Sequence, residues 1–169
     1  MTMKTLNKIS SAIFNHLISL INYDDGYAKI DNTEGVFMPV NVEFLRHTTF
    51  LNQPARIFSI SHIYYQNGDV CFDPDCEFLQ LKENKNKIYP INITHPNCFI
   101  RAIWRDGDEW KYDKMELSDL VDFCNMWLLN IREQQELKID FAKQIETFVN
   151  SVNSGEVQPR KCFKNFSKN

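Results

Sequence analysis

Residues 55–65, ARIFSISHIYY, followed by Gln66-Asn67-Gly68-Asp69, decide how the chain is read. β-branched and aromatic residues fill the stretch, and Phe58, Ile60, His62 and Tyr64 alternate with Ile57, Ser59, Ser61, Ile63 and Tyr65. A period of two puts those sets on opposite faces of a strand. Asn-Gly directly after it is a strong hairpin signal, because a two-residue type I′ turn needs positive φ at both central positions. Residues 70–81 therefore return as the partner strand, interrupted at Asp73-Pro74-Asp75 because proline has no N–H for a ladder.

Working outward, residues 27–30 form a short strand, residues 31–35 a turn, and residues 36–44 a half-buried strand in which Pro39 marks an edge or bulge. Residues 45–54 read as a loop. Beyond the hairpin, residues 88–93 and 99–104 are two further strands, and Asp106-Gly107 turns the chain into a last strand over 110–117. Leu6, Ile9, Ile13, Leu17 and Leu20 make a helical stripe ahead of the strands. Behind them, Ser118 is a good N-cap for a helix with Leu120, Val121, Cys124, Trp127, Leu128 and Ile131 on one face. The apolar spacing resumes at Leu137, Phe141, Ile145, Phe148 and Val152, so the helix either runs to about Asn153 or breaks near Gln134-Gln135; Gly155 is the natural stop. Helix, about six strands, then a long helix or helix pair predicts an α+β fold with an antiparallel sheet and helices on one face. Residues 1–154 form one domain on this reading, and residues 155–169 a basic tail.

The 169 residues suffice for one core, which 13 Phe, 6 Tyr and 3 Trp can fill. No apolar run is long enough to span a bilayer, and residues 1–23 carry no secretory pattern. Five cysteines without such a pattern suggest reduced thiols in a cytoplasm. The net charge of −3 is uneven. Lys4 and Lys8 stand without an acid in the first 23 residues, and Arg160, Lys161, Lys164 and Lys168 outnumber Glu156 at the end, so the acid excess lies in the middle. An acidic body with a basic tail does not resemble a general DNA-binding domain; it suits a tail that touches nucleic acid or a body that engages a basic protein surface.

No Walker loop, G-x-G-x-x-G or nucleophile elbow exists; Ser59 and Ser61 lie in a strand without a glycine elbow. His16 reads as a surface residue, and His47 and His95 as loop residues. Asp69, Asp73, Asp75 and Glu77, with His62 nearby, form the densest polar cluster. Four carboxylates there suggest a hard cation and a metal-dependent nucleic-acid hydrolase, although the spacing is not that of an EF-hand, and turn and cap chemistry accounts for the aspartates. Cys71 and Cys76 lack the second pair a zinc site needs. The tail Arg160-Lys161-Cys162-Phe163-Lys164 alternates cations with an aromatic and suits phosphate contact plus stacking on RNA or DNA. The acid run Asp106, Asp108, Glu109, Asp113, Glu116, Asp119 and Asp122 suits imitation of a phosphate backbone in a basic channel.

The stretch Tyr64 to Phe78 resembles the Y-x-Q-N-G-D-x-x-x-D-P-x-x-x-F signature of an uncharacterised bacterial domain family, and residues 123–134 are similar to that family's W-L-x-N closing helix. The resemblance covers about residues 36–137; Ile63 stands where the family shows a histidine. It implies an accessory protein of conjugative elements and prophages, working in a bacterial cytoplasm. With no enzyme motif and no cofactor motif, the expectation is a non-enzymatic inhibitor of host defence. Such an anti-CRISPR protein would bind a Cas effector, its guide RNA, or both. The contact residues expected are Tyr65, Gln66 and Asn67 at the hairpin and Arg160, Lys161, Phe163 and Lys164 in the tail. A metal hydrolase and a small RNA- or DNA-binding module are the alternatives.

Overall fold

The computed structural model describes residues 2–139, 152–155 and 157. A helix, α1 (Lys8–Ser19), precedes six antiparallel strands in simple meander order: β1 (Tyr27–Ile30), β2 (Val40–Phe50), β3 (Gln53–Gln66), β4 (Asp69–Leu81), β5 (Ile88–His95) and β6 (Cys98–Arg101). A separate hairpin, β7 (Ile103–Asp106) and β8 (Glu109–Tyr112), leads into α2 (Lys114–Gln134). The α+β expectation holds, with β1 and β6 as the two edges of the six-stranded sheet.

Both helices pack on one face. Phe14 of α1 sets its ring 5.8 Å from Phe58 and 5.2 Å from Phe78. From α2, Trp127 meets His62 edge-on at 5.6 Å, and the Cys124 sulfur lies 3.6 Å from that of Cys76. Among the described residues, the opposite face is covered by the β7–β8 hairpin at one end. There Phe50 contacts Tyr89 and Trp110 of β8, and the Trp110 Nε1–H donates to the Thr49 carbonyl at 2.7 Å.

Several boundaries differ from expectation for local reasons. Residues 45–54 are no loop: β2 and β3 meet in a two-residue turn at Leu51 and Asn52, both with positive φ (48° and 62°). Leucine seldom adopts that conformation, so nothing announces the turn. Val36, Phe37 and Met38 precede β2 and are exposed, so their alternation does not belong to a strand. The last strand stops at Tyr112 rather than 117, because α2 starts early. Its N-cap is Asp113, not Ser118; the Asp113 carboxylate accepts from the N–H groups of Met115 and Glu116 at 2.8 and 3.0 Å. The interruption expected at Asp73-Pro74-Asp75 is present as a register shift: Asp73 and Pro74 have no ladder partner, pairing resumes at Asp75, and β4 continues through the irregularity. In α1 the buried side turns toward Phe14 and Ile18, leaving Ile9 and Leu20 exposed, and His16 is buried rather than at the surface.

The second helix ends where the break near Gln134-Gln135 was one of two expectations. Gln135 caps it, and Glu136 takes a left-handed φ of 49°. Gln135 is buried and holds the 31–39 segment: its Oε1 accepts from the Asn32 N–H at 2.9 Å, and its Nε2 donates to the Met38 carbonyl at 3.1 Å. Gln135→Ala should therefore remove these part-buried hydrogen bonds to the 31–39 segment, at about 0.5–1.5 kcal/mol each. A thermal melt checks it; a fall of only a degree or less would contradict this anchoring role. Of the resumed apolar pattern, Phe141, Ile145 and Phe148 lie outside the described residues.

Candidate functional site

The register of the six strands builds a polar surface on the face away from the helices. Residues directly opposite each other in neighbouring strands share a face. One row crosses the sheet as Tyr27, Glu43, Ser59, Glu77, Asn92 and Arg101. The next runs Lys29, Asn41, Ser61, Asp75, Thr94 and Phe99, so a cation closes its β1 end as Arg101 closes the β6 end of the first. Three carboxylates, Glu43, Asp75 and Glu77, thus occupy two adjoining rows on two strands flanking β3. Asp75 is held by a hydrogen bond. Ser59 Oγ donates to its Oδ1 at 2.6 Å, and burial pushes the carboxyl up to about 6. The Ser59 hydrogen bond opposes that rise, while the charges of Glu77 and Glu43 add to it. Beside this group, Tyr27 donates its hydroxyl to Asn41 Oδ1.

Aromatic surface frames the acids. Tyr65 pairs with Val70 and Ile63 with Phe72 along the same face of the β3–β4 hairpin, and Tyr65, Val70 and Phe72 are exposed. Tyr65 is 76% exposed and Phe99, one strand beyond Thr94, is 60% exposed. Apolar groups this open around half-buried acids mark an interaction surface better than a catalytic cleft.

Of the expected contact residues, Tyr65, Gln66 and Asn67 lie exposed at the hairpin tip, where Asn67 and Gly68 take φ of 54° and 88° as a type I′ turn requires. Arg160, Lys161, Phe163 and Lys164 lie outside the described residues, as does Cys162. The four proposed cation ligands do not share one centre. Asp69 sits at the turn opposite Gln66, and Asp75 and Glu77 belong to the polar face. Asp73 meets His95 Nδ1 at 3.3 Å, on the side where the His95 ring packs against Phe123 of α2. Among the described residues no three His, Cys, Asp or Glu side chains gather as a metal site. His95 therefore has a partner, and His47 lies in β2 with its ring 5.0 Å from Phe44. His62 belongs to the core: its Nδ1 lies 3.0 Å from the Pro39 carbonyl, and burial lowers its pKa, against that backbone contact and Asp73.

Three of the seven acids in the run from 106 to 122 have specific partners. Lys111 pairs with Asp106, Asp113 caps α2, and Lys4 holds Asp122 at 2.7 Å. Nothing in the spacing of the sequence brings Glu43 and Asn41 together with Ser59 and Ser61; the register of β2 and β3 does. The one local signal was the pair of serines two residues apart in an otherwise apolar strand.

An α+β meander sheet with both helices on one face and an acid-centred opposite face is the class of protein these observations define. The chain belongs to the DUF6908 family, a domain of unknown function, which matches residues 5–137. The match takes in α1, which the resemblance had left outside. No curated protein and no solved structure matches the chain. No helix among the described residues is long and apolar enough to cross a membrane.

Proposed function

We propose that this protein works by surface recognition, and that its acid-centred sheet face engages a basic surface on a partner protein. The observation that carries this reading is the placement of the half-buried Glu43, Asp75 and Glu77 on one face of the sheet, beside exposed Tyr65, Phe72 and Phe99. Carboxylates steer and orient a cationic partner, and exposed aromatics supply the apolar anchors an interface needs. Aromatic faces also attract Lys and Arg directly.

The partner class follows from the resemblance to mobile-element accessory proteins. Nucleic-acid-handling effectors of host defence carry basic channels for guide and target strands, and an acidic face is complementary to such a channel. On this reading the protein is a non-enzymatic anti-CRISPR inhibitor that occupies the protein surface of a Cas effector. Pull-down from a bacterial host expressing Cas effectors, with and without nuclease treatment, tests it alongside an interference assay. The wild-type chain should recover an effector after nuclease treatment and suppress interference. The Glu43→Lys/Glu77→Lys double variant, checked for folding by circular dichroism, should lose at least tenfold in binding. Unchanged interference with wild-type protein would end the inhibitor reading. Recovery that survives charge reversal would end the role of this face.

A further inference from the structure

Beyond the acid face lies a second feature that the proposed function does not use: the free edge of β6 and the cleft beside it. The Ala102 N–H donates to the Ile91 carbonyl at 2.9 Å, so Ala102 faces β5. By the two-residue period of an antiparallel ladder, Ile100 and Cys98 also face β5, in keeping with their pairing to Ile93 and His95. Phe99 and Arg101 then point their N–H and C=O groups outward. Among the described residues no strand pairs with this edge. The edge ends at Ala102, whose carbonyl accepts from the Asp113 N–H at 2.9 Å.

Alongside, between β6 and α2, runs a cleft of about 200 Å³. Its floor is apolar, made by Ile93, Ile100 and Leu120. Phe123 and His95 form one wall, and the His95 ring is held by Asp73 from behind. Glu116 and Asp119, both exposed, stand at the rim on α2. An apolar floor with carboxylates at its lip fits the side chain of lysine or arginine, whose stem is apolar and whose head is cationic. Phe123 adds a ring face to the same site.

We propose that the β6 edge takes an extended, lysine- or arginine-bearing peptide of a partner protein as a seventh strand, with alternate basic side chains laid into the β6–α2 cleft. Two independent features converge on that occupant. The outward N–H and C=O groups of Phe99 and Arg101 give main-chain pairing, and the adjoining cleft selects every second side chain. The intervening side chains fall beside Phe99 and Arg101 on the other face, where an uncharged residue suits the Arg101 cation.

Fluorescence anisotropy with a labelled, end-capped peptide Thr-Lys-Val-Lys-Val-Lys-Thr tests this on the full chain. The peptide should bind, and its counterpart with glutamate in place of lysine should not. N-methylation of the two valine amides or of the three lysine amides should abolish binding in one case and spare it in the other, since a strand offers its partner alternate N–H groups. Phe99→Pro removes an outward N–H without touching the β5 ladder, and should weaken binding at least tenfold while Phe99→Thr does not. Glu116→Lys/Asp119→Lys should weaken it similarly, with circular dichroism spectra and melting unchanged in all variants. Binding must survive in Glu43→Lys/Glu77→Lys, which separates this edge from the acid face. No binding, equal binding of lysine and glutamate peptides, or indifference to both methylation patterns and Phe99→Pro overturns the proposal. So does a concentration-dependent dimer that Phe99→Pro abolishes without any peptide binding, since a second copy would then own the edge.

Discussion

Arg56→Ala should be among the most destabilising single substitutions in this chain, at about 3–5 kcal/mol, because it strips a buried polar chain of its cation. Arg56 is fully buried on the helix side of β3. Its Nη2 donates to Gln80 Oε1 at 2.6 Å and its Nη1 to Asn153 Oδ1 at 3.1 Å. Gln80 in turn donates from Nε2 to Asn15 Oδ1 and to the Lys85 carbonyl, each at 2.7 Å. One side chain thus ties β3 to β4, and through Gln80 to α1 and the 82–87 turn, and reaches the 152–155 segment. Burial works against the charge and pulls Arg56 down to about 10, so it remains a cation at neutral pH. Its guanidinium also lies 5.9 Å from the Phe58 ring centre. Alanine leaves Gln80 Oε1 without its donor and opens a cavity beneath Phe58. Arg56→Met, which fills the volume, should lose less than half as much. Urea unfolding at pH 7 measures both; an alanine variant within 1 kcal/mol of wild type would show that this polar chain is incidental.

Such a residue is hard to foresee from the sequence. Arg56 stands in an alternating run, and the period of two places Phe58, Ile60 and His62 on one shared face, which the structure turns toward the helices. The helical period of about 3.6 residues marks the α2 face from Leu120 to Ile131, and Asn67-Gly68 marks its turn. What failed depended on choices between near-equal local options. Asp113 and Ser118 are both good caps, and only the burial of Leu117 favours the earlier start. Two helical stripes are available in α1, and the sheet selects the one carrying Phe14 and Ile18. Leu51-Asn52 turns by backbone geometry that composition does not advertise. The candidate site was less legible still. Glu43, Ser59 and Glu77 stand far apart in the chain and meet only through register, and one residue of slippage would have sent each to the opposite face.

Asp75→Asn should make the protein more stable at pH 8, and it is the sharpest test of whether the acid face exists for something other than folding. The Asp75 carboxyl is raised from the usual carboxylate range to about 6, first by burial and then by Glu77 and Glu43. An acid raised in the folded state is protonated there while the unfolded chain has already ionised. Stability is therefore highest below the unfolded value near 4, declines as pH rises through 4 to 6, and stays lowered above 6. A difference of about two units corresponds to about 3 kcal/mol at most. Asparagine keeps an oxygen to accept from Ser59 and removes the ionisation. The variant should match wild type near pH 4 and exceed it by about 2 kcal/mol at pH 8, read by urea unfolding across that range. A less stable variant at pH 8 would mean that the ionised carboxylate is well solvated or well paired, and the strain on this face imagined. The same substitution should weaken partner binding at neutral pH, because it deletes one of three negative charges. Greater stability with weaker binding is the signature of a group held against the fold's own preference. A purely structural aspartate would lose on the first count and change nothing on the second.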